Sequence, residues 1–365
     1  MSSKKKVLVV GASGLVGSAM VNHLRTAGCE TVAVSRRAPE DTDGVQFVSA
    51  DLFDDDGCTQ LFGQMTDVTH LVYAALYERP TLVSGWSDDD QIRINERMFR
   101  NVLDPLISAS GALRHVTLLQ GTKAYGVHVR PIPVPAREDR DELRSQPNFY
   151  WKQEDHLRDR GADGTWSWTI LRPTLIVGSG VGGAMNLLPP IGVFAALLKD
   201  RGLPLAFPGG GPKIGCAVDV DLLARAIDWA GVAETARNRT FNVTNGDVYV
   251  WENLWPAIAD AFGMETGNPE PRSFEAYCLK RSADWDRIRK KHDLLAPGLE
   301  AFVGPSLQYC DFSMRYGQTE PGPPSVVSTI KLQTAGFHEV MDTEEMFRKW
   351  IRHLQDKRVL PHALA

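Results

Sequence analysis

The chain has 365 residues, of which 43% are hydrophobic and 23% charged, with a formal net charge of −5. That is enough for one large domain, or one domain with a smaller lobe, and it is ordinary for a globular protein. The mild acidity excludes a general electrostatic claim on nucleic acid or anionic membrane, and no run reaches the roughly 18 continuous apolar residues of a membrane span.

Lys4-Lys5-Lys6 reads as a solvated tail, and Val7–Val10 is too short for the apolar stretch of a signal peptide. The five cysteines are odd in number and scattered without a CxxC pair, and the nine histidines form no HxxxH pair. No metal site is expected, and a cytoplasmic, reducing location is. Val7–Val10, Thr31–Val34, Val45–Val48, His70–Tyr73 and His115–Leu119 read as strands with near-continuous apolar character. Helical stretches such as Leu15–Ala27 and Gln91–Ala109 alternate with them. This pattern predicts an α/β fold with a doubly wound, parallel, Rossmann-type sheet covered on both faces. Trp166–Leu171 and Arg239–Val243 add a sixth and seventh strand, with helices over Asp219–Ala230 and Trp251–Phe262.

Residues 1–178 are assigned to the dinucleotide-binding domain, with 216–248 returning to it. Residues 179–215 and 249–365 are assigned to a smaller substrate-binding lobe. Within that lobe Gly267–Pro324 reads as irregular, rich in Pro and aromatics.

Gly11-Ala12-Ser13-Gly14-Leu15-Val16-Gly17 follows the first strand directly. In such a loop the first glycine permits the tight turn, the second lets backbone approach a pyrophosphate, and the third lets helix and strand pack closely. The helix N-terminus then offers N–H groups and a positive dipole end. The second strand ends in Ser35-Arg36-Arg37 where an NAD enzyme carries Asp or Glu. Two guanidinium groups favour a ribose 2′-phosphate, so NADPH is expected over NADH. Asp51-Leu52, after the third strand, is placed to contact adenine, although Asp51 also reads as a helix cap.

The fifth strand runs into Gln120-Gly121-Thr122-Lys123-Ala124-Tyr125-Gly126, and Asn148-Phe149-Tyr150-Trp151-Lys152-Gln153-Glu154-Asp155 opens a helical run. These stretches resemble the motifs Thr-Gly-x-Lys-x-Tyr and Asn-Phe-Tyr-Tyr of the atypical short-chain dehydrogenases typified by progesterone 5β-reductase and iridoid synthase. Gln120 stands in for the threonine and Trp151 for the second tyrosine. The likeness continues in Asn95–Asp104, Thr165–Trp168, Arg172-Pro173, Met185-Asn186, Phe241–Val248 and Ser328-x-x-Lys331. It weakens over Gly267–Pro324.

The resemblance implies an extended short-chain dehydrogenase with Tyr150 and Lys123 as its catalytic pair. Ordinary members place a lysine four residues after the tyrosine. Here that position is Glu154, and Lys152 faces elsewhere on a helix. The expected reaction is hydride delivery from NADPH to the β-carbon of a hydrophobic α,β-unsaturated carbonyl. Tyr150 would serve the enolate oxygen, and Lys123 would lower the phenol pKa. The resemblance also implies cofactor contacts from Ala74, Ala75, Gln120, Pro173 and Ile176, substrate contacts from Tyr125, Met185 and Asn186, and a homodimer. Reduction of a ketone or aldehyde with the same pair is the main alternative. A non-catalytic NADP(H)-sensing regulator and a nucleotide-sugar epimerase fit the residues less well.

Overall fold

Val7, Leu8, Val9 and Val10 are each at most 1% exposed, so the first strand is covered on both faces. The computed structural model describes residues 4–39, 41–79 and 86–362. Its first unit comprises residues 1–174, 220–243 and 327–339, and its second 175–219, 244–326 and 340–365. The division therefore falls at Thr174/Leu175 rather than at 178, and the return segment is 220–243 rather than 216–248. The short stretch 327–339, assigned to the lobe from sequence, belongs to the first unit. It pairs there through a bridge between Val327 and Ala136.

The elements of the first unit alternate along the chain: β1 (Lys6–Val10), α1 (Leu15–Thr26), β2 (Glu30–Ser35), β3 (Gln46–Ser49), α2 (Asp55–Phe62), β4 (His70–Tyr73), α3 (Asp89–Ala109), β5 (His115–Leu119), α4 (Phe149–Arg160) and β6 (Ser167–Pro173). In the second unit the chain continues through β7 (Leu175–Val177), α5 (Leu188–Lys199), β8 (Leu205–Ala206) and β9 (Ala217–Asp219). It returns to the first unit as α6 (Val220–Val232) and β10 (Arg239–Val243). Seven strands form one sheet in the order β10-β6-β5-β4-β1-β2-β3, and every pairing in it is parallel. The predicted doubly wound Rossmann-type sheet is borne out.

Alternate strand residues, among them Leu8, Val10, Val34, Leu71, Val116, Leu118 and Ile170, share a core with Met98, Phe99, Val102, Leu103 and Leu106 of α3. Helix α3 starts where Asp88 accepts hydrogen bonds from the N–H groups of Asp90 (3.0 Å) and Gln91 (3.1 Å). The chain order reverses between β1 and β4. In open α/β sheets the crevice beyond the strand ends at such a switch point receives ligands. The N-terminal lysines are not a free tail. Lys6 begins β1 and pairs with Asp67 (2.8 Å) and Glu30 (3.2 Å), and Lys5 pairs with Asp228 of α6.

In the second unit β7 pairs with β9 in parallel, Ile176 opposite Val218. The stretch predicted to be irregular is half helical, with short helices at Phe274–Leu279, Ser282–Lys291, Leu299–Val303 and Ser306–Ser313. Each spans three turns or fewer, too short for apolar periodicity to stand out between the prolines. Among the described residues no helix is long and apolar enough to cross a membrane.

Candidate active site

The glycine loop closes sterically around two of its three glycines. Gly11 adopts a φ of +87°, and a Cβ there would fall 2.6 Å from the backbone of Ala74 and Ala75 at the end of β4. A Cβ on Gly17 would fall 2.1 Å from the Gly11 carbonyl oxygen, so α1 packs on the loop only through hydrogen. Gly14 is different. It is the exposed N-cap of α1, no side chain caps that helix, and its first turn has no acidic residue. Ser13 beside it is also exposed, and Leu15 and Val16 are half-buried in the first turn. The result is an open helix N-terminus with uncommitted N–H groups, the chemistry a pyrophosphate requires.

After β2, the Ser35 hydroxyl donates to the carbonyl oxygen of Arg37 (2.6 Å), and the Ser49 hydroxyl donates to that of Arg36 (3.2 Å). Both arginine side chains are exposed, and among the described residues neither has an ion-pair partner. Asp51 turns the chain by accepting from the Phe53 N–H (3.1 Å), and Leu52 is buried.

The catalytic candidates come from the turn after β5 and the first turn of α4. Beyond β5 the backbone is extended at Gly121 and then tightens into a 3-10 turn over Thr122–Tyr125, which carries Lys123. Asn148 caps α4 by accepting from the Tyr150 N–H (3.0 Å), which puts Tyr150 in the first helical turn. Its hydroxyl hangs over Gly121, 3.2 Å from where a Cβ would stand, so the bare backbone there makes room for the phenol.

Trp86 brings the two side chains to one place. The Lys123 ammonium lies 2.9 Å from the centroid of the indole. The Tyr150 ring meets the same indole edge-on, at 6.2 Å and 72°, and Phe149 completes the cluster. Glu78 acts on both groups. Its charge opposes the burial that pushes the Lys123 ammonium well below the ordinary lysine range. It also adds to the burial that pushes the Tyr150 phenol up, with Arg172 opposing. The expected lowering of the phenol is therefore corrected, because desolvation of a buried phenolate outweighs the neighbouring positive charge.

Glu154 is fully buried and does not face this cluster. It accepts from Gln120 Nε2 (2.9 Å), Arg144 Nη2 (2.5 Å), Arg158 Nε (2.9 Å) and Arg172 Nη2 (3.4 Å). Arg172, also fully buried, donates from Nε to Gln120 Oε1 (2.8 Å) and from Nη2 to Glu142 (2.7 Å). The Gln120 side chain is thus committed to holding α4 on β5, and it also reaches the Tyr150 carbonyl (3.3 Å). Trp151 packs its ring under the Arg144 guanidinium at 4.7 Å.

Two residues expected to contact substrate make hydrogen bonds within the protein. Tyr125 is fully buried, and its hydroxyl donates to Asn242 Oδ1 (2.6 Å). Asn186, in the second unit, donates from Nδ2 to the carbonyls of Gly178 and Gly180 and accepts from the Leu188 N–H (3.2 Å), fixing the loop before α5. Met185 beside it is half-buried. Pro173 ends β6, and its carbonyl oxygen lies 3.6 Å from the Gly121 Cβ position, at the strand end that Tyr150 covers. Sequence reading missed Glu78 and Trp86, because the stretch between β4 and α3 carries no motif.

The description "NAD dependent epimerase/dehydratase family" matches residues 7–244. The chain belongs to this family. As an epimerase/dehydratase-family protein it shares its fold with the Bordetella bronchiseptica enzyme WbmH in complex with NAD+, at a TM-score of 0.65 and 18% identity over 97% of this chain and 99% of that one. It also shares it with Thermus thermophilus UDP-glucose 4-epimerase in complex with NAD, at 0.61 and 20% over 96% and 99%. Sequence relatives are more specific. An Antirrhinum majus (S)-8-oxocitronellyl enol synthase is 30% identical, over 97% of this chain and 92% of the relative. An Arabidopsis thaliana 3-oxo-Delta(4,5)-steroid 5-beta-reductase is 31% identical, over 82% and 80%. The resemblance to the progesterone 5β-reductase and iridoid synthase group is borne out, and the chain is an enzyme of the extended short-chain dehydrogenase type.

Proposed function

We propose that this protein reduces the C=C bond of an α,β-unsaturated carbonyl with NADPH. The observation that carries the reading is the exchange of partners around Tyr150. The position four residues on is a carboxylate buried among arginines, and the ammonium that shares Trp86 with the phenol comes from Lys123. The relative named as a 3-oxo-Delta(4,5)-steroid 5-beta-reductase supports it, since that name describes reduction at a double bond conjugated to a ketone.

Gly11, Gly14, Gly17 and the start of α1 would hold the pyrophosphate. Arg36 and Arg37, exposed and without ion-pair partners among the described residues, would hold the 2′-phosphate, which favours NADPH over NADH. Bound NADPH supplies the hydride.

The chain's own residues serve the substrate oxygen, where negative charge develops. Tyr150 keeps its proton because burial and Glu78 push the phenol up. It therefore meets the oxygen as a hydrogen-bond donor rather than as a phenolate. That protonation state suits a reduction, whereas oxidation of an alcohol needs the phenolate as base. Lys123 adds positive charge, held on the aromatic face of Trp86. All five cysteines are free thiols, in keeping with a reducing, cytoplasmic setting.

Incubation with NADPH and a small enone, with products identified by mass spectrometry, tests the reading. The saturated ketone is expected. Allylic alcohol as the sole product would turn the assignment to carbonyl reduction.

A further inference from the structure

Buried polar atoms without a hydrogen-bond partner are rare in folded proteins, and each calls for a physical explanation. Two side chains beside Lys123 carry such atoms. Among the described residues Glu78 has a buried Oε1 with no partner, and His128 has both Nδ1 and Nε2 buried with none. Among the described residues no other histidine leaves both nitrogens in that state. The buried histidines elsewhere each have at least one bonded nitrogen: His70 bonds Thr69 (2.8 Å) and the Gly231 carbonyl (3.0 Å), His156 bonds Asp104 (2.9 Å), and His115 bonds Ser167 through Nδ1 (2.8 Å), leaving its Nε2 alone unpartnered.

His128 follows the turn that presents Lys123, and its ring centroid lies 6.5 Å from the Trp86 indole. It therefore flanks the indole on which the ammonium rests and which the phenol meets edge-on. Burial and the Lys123 charge push the imidazole down to about 4. At neutral pH the ring is uncharged and offers one N–H donor and one acceptor lone pair. That makes it a poor proton donor for catalysis and a good partner for a neutral oxygen. An anionic substrate group is disfavoured, because the Glu78 carboxyl stands by the same lysine.

We infer that His128 is a specificity-determining residue of the Lys123–Tyr150 site, hydrogen-bonding a second hydroxyl or carbonyl oxygen on an oxygenated enone or enal. The inference rests on the proposed function and narrows its substrate class. A purely hydrocarbon tail would leave both nitrogens of this half-buried ring without a partner.

The test uses matched ligands: cyclohexenone with and without a ring hydroxyl, and octenal with and without a terminal hydroxyl. Their affinities are measured on the NADP+-loaded enzyme, where no hydride is available, and their products are identified separately with NADPH. The wild-type protein is expected to bind the hydroxylated member of at least one pair about 10-fold more tightly. His128→Phe, which keeps a ring and removes both nitrogens, should bring that ratio to about 1, and His128→Asn should restore part of it. Equal affinities in the wild-type protein, or a preference that survives in His128→Phe, would overturn the inference. A His128-dependent preference with only allylic alcohol as product would uphold His128 and refute enone reduction. Saturated product with no preference would do the reverse.

Discussion

The Lys123 ammonium sits 2.9 Å from the centre of the Trp86 indole, so the cation invoked for catalysis is stabilised by an aromatic face from a separate segment of chain. Burial lowers the Lys123 pKa, and the ring and Glu78 oppose that. If the charged form is the working one, kcat/KM falls as pH rises through a value well below the ordinary lysine range. Trp86→Leu removes the ring and disfavours the charge further. The alkaline limb of the pH–rate profile should therefore move to lower pH in that variant. An unmoved limb would mean that the limb does not report Lys123.

Tyr150→Phe removes the hydroxyl over Gly121 and leaves the ring packed against Phe149 and Trp86. Turnover with an enone should drop by roughly 10²–10⁴, the range for loss of a positioned acid. NADPH affinity, read by fluorescence titration, should stay within about 2-fold, because the change removes no charge and little volume. Full activity in this variant would rule the phenol out.

Arg36→Ala with Arg37→Ala should raise the KM for NADPH by at least about 10-fold and leave the KM for NADH nearly unchanged, since only the former carries a 2′-phosphate. Steady-state kinetics with both coenzymes decide it. Equal effects on the two would remove the basis for NADPH preference.

Glu154→Lys restores the lysine of ordinary short-chain dehydrogenases in sequence but not in effect. The new ammonium would enter a buried site already lined by Arg144, Arg158 and Arg172. Breaking a buried ion cluster costs about 3–5 kcal/mol, and the like charge adds to that. Urea denaturation should show a loss of this order, and the substitution should not rescue activity in Lys123→Met.

Asp228 of α6 ties α1 and the N-terminus to the fold through His23 (3.0 Å) and Lys5. The hydrogen bond from His23 is the largest influence and holds its carboxyl down to about 2, against 3.8 for an ordinary aspartate. A depressed carboxyl stabilises the fold above its unfolded pKa and loses that contribution as pH falls through the folded value. Asp228→Asn should therefore cost on the order of 1 kcal/mol at neutral pH, allowing for solvent screening. The gap to the wild-type protein should close as pH drops from about 4 to about 2. Thermal unfolding across that window measures it.

Much of this was legible in sequence because it was periodic or local. The strands read as apolar runs because the sheet is covered on both faces, and Gly11, Gly14 and Gly17 read as a loop because backbone contacts fix their spacing. Asn148-Phe149-Tyr150 read correctly as the start of a helix for a local reason, the Asn148 cap. What stayed hidden depends on contacts across the chain. Nothing near Gln120 reveals that its amide is used 34 residues away by Glu154. Trp86 and Glu78 gain their meaning only when they meet the turn after β5. The direction of the Tyr150 shift was misjudged because burial cannot be read from a motif.

The glycine cradle and the arginine turn differ in their tolerance of change. One methyl group at position 17 would strike a carbonyl oxygen at 2.1 Å, so the cradle leaves no room for variation. The Ser35–Arg37 turn, pinned by two hydroxyls and otherwise facing water, can accept new side chains without disturbing the sheet. Natural drift or a designer seeking a different electron donor would find that adaptability there, at the rim of the crevice and not in its floor.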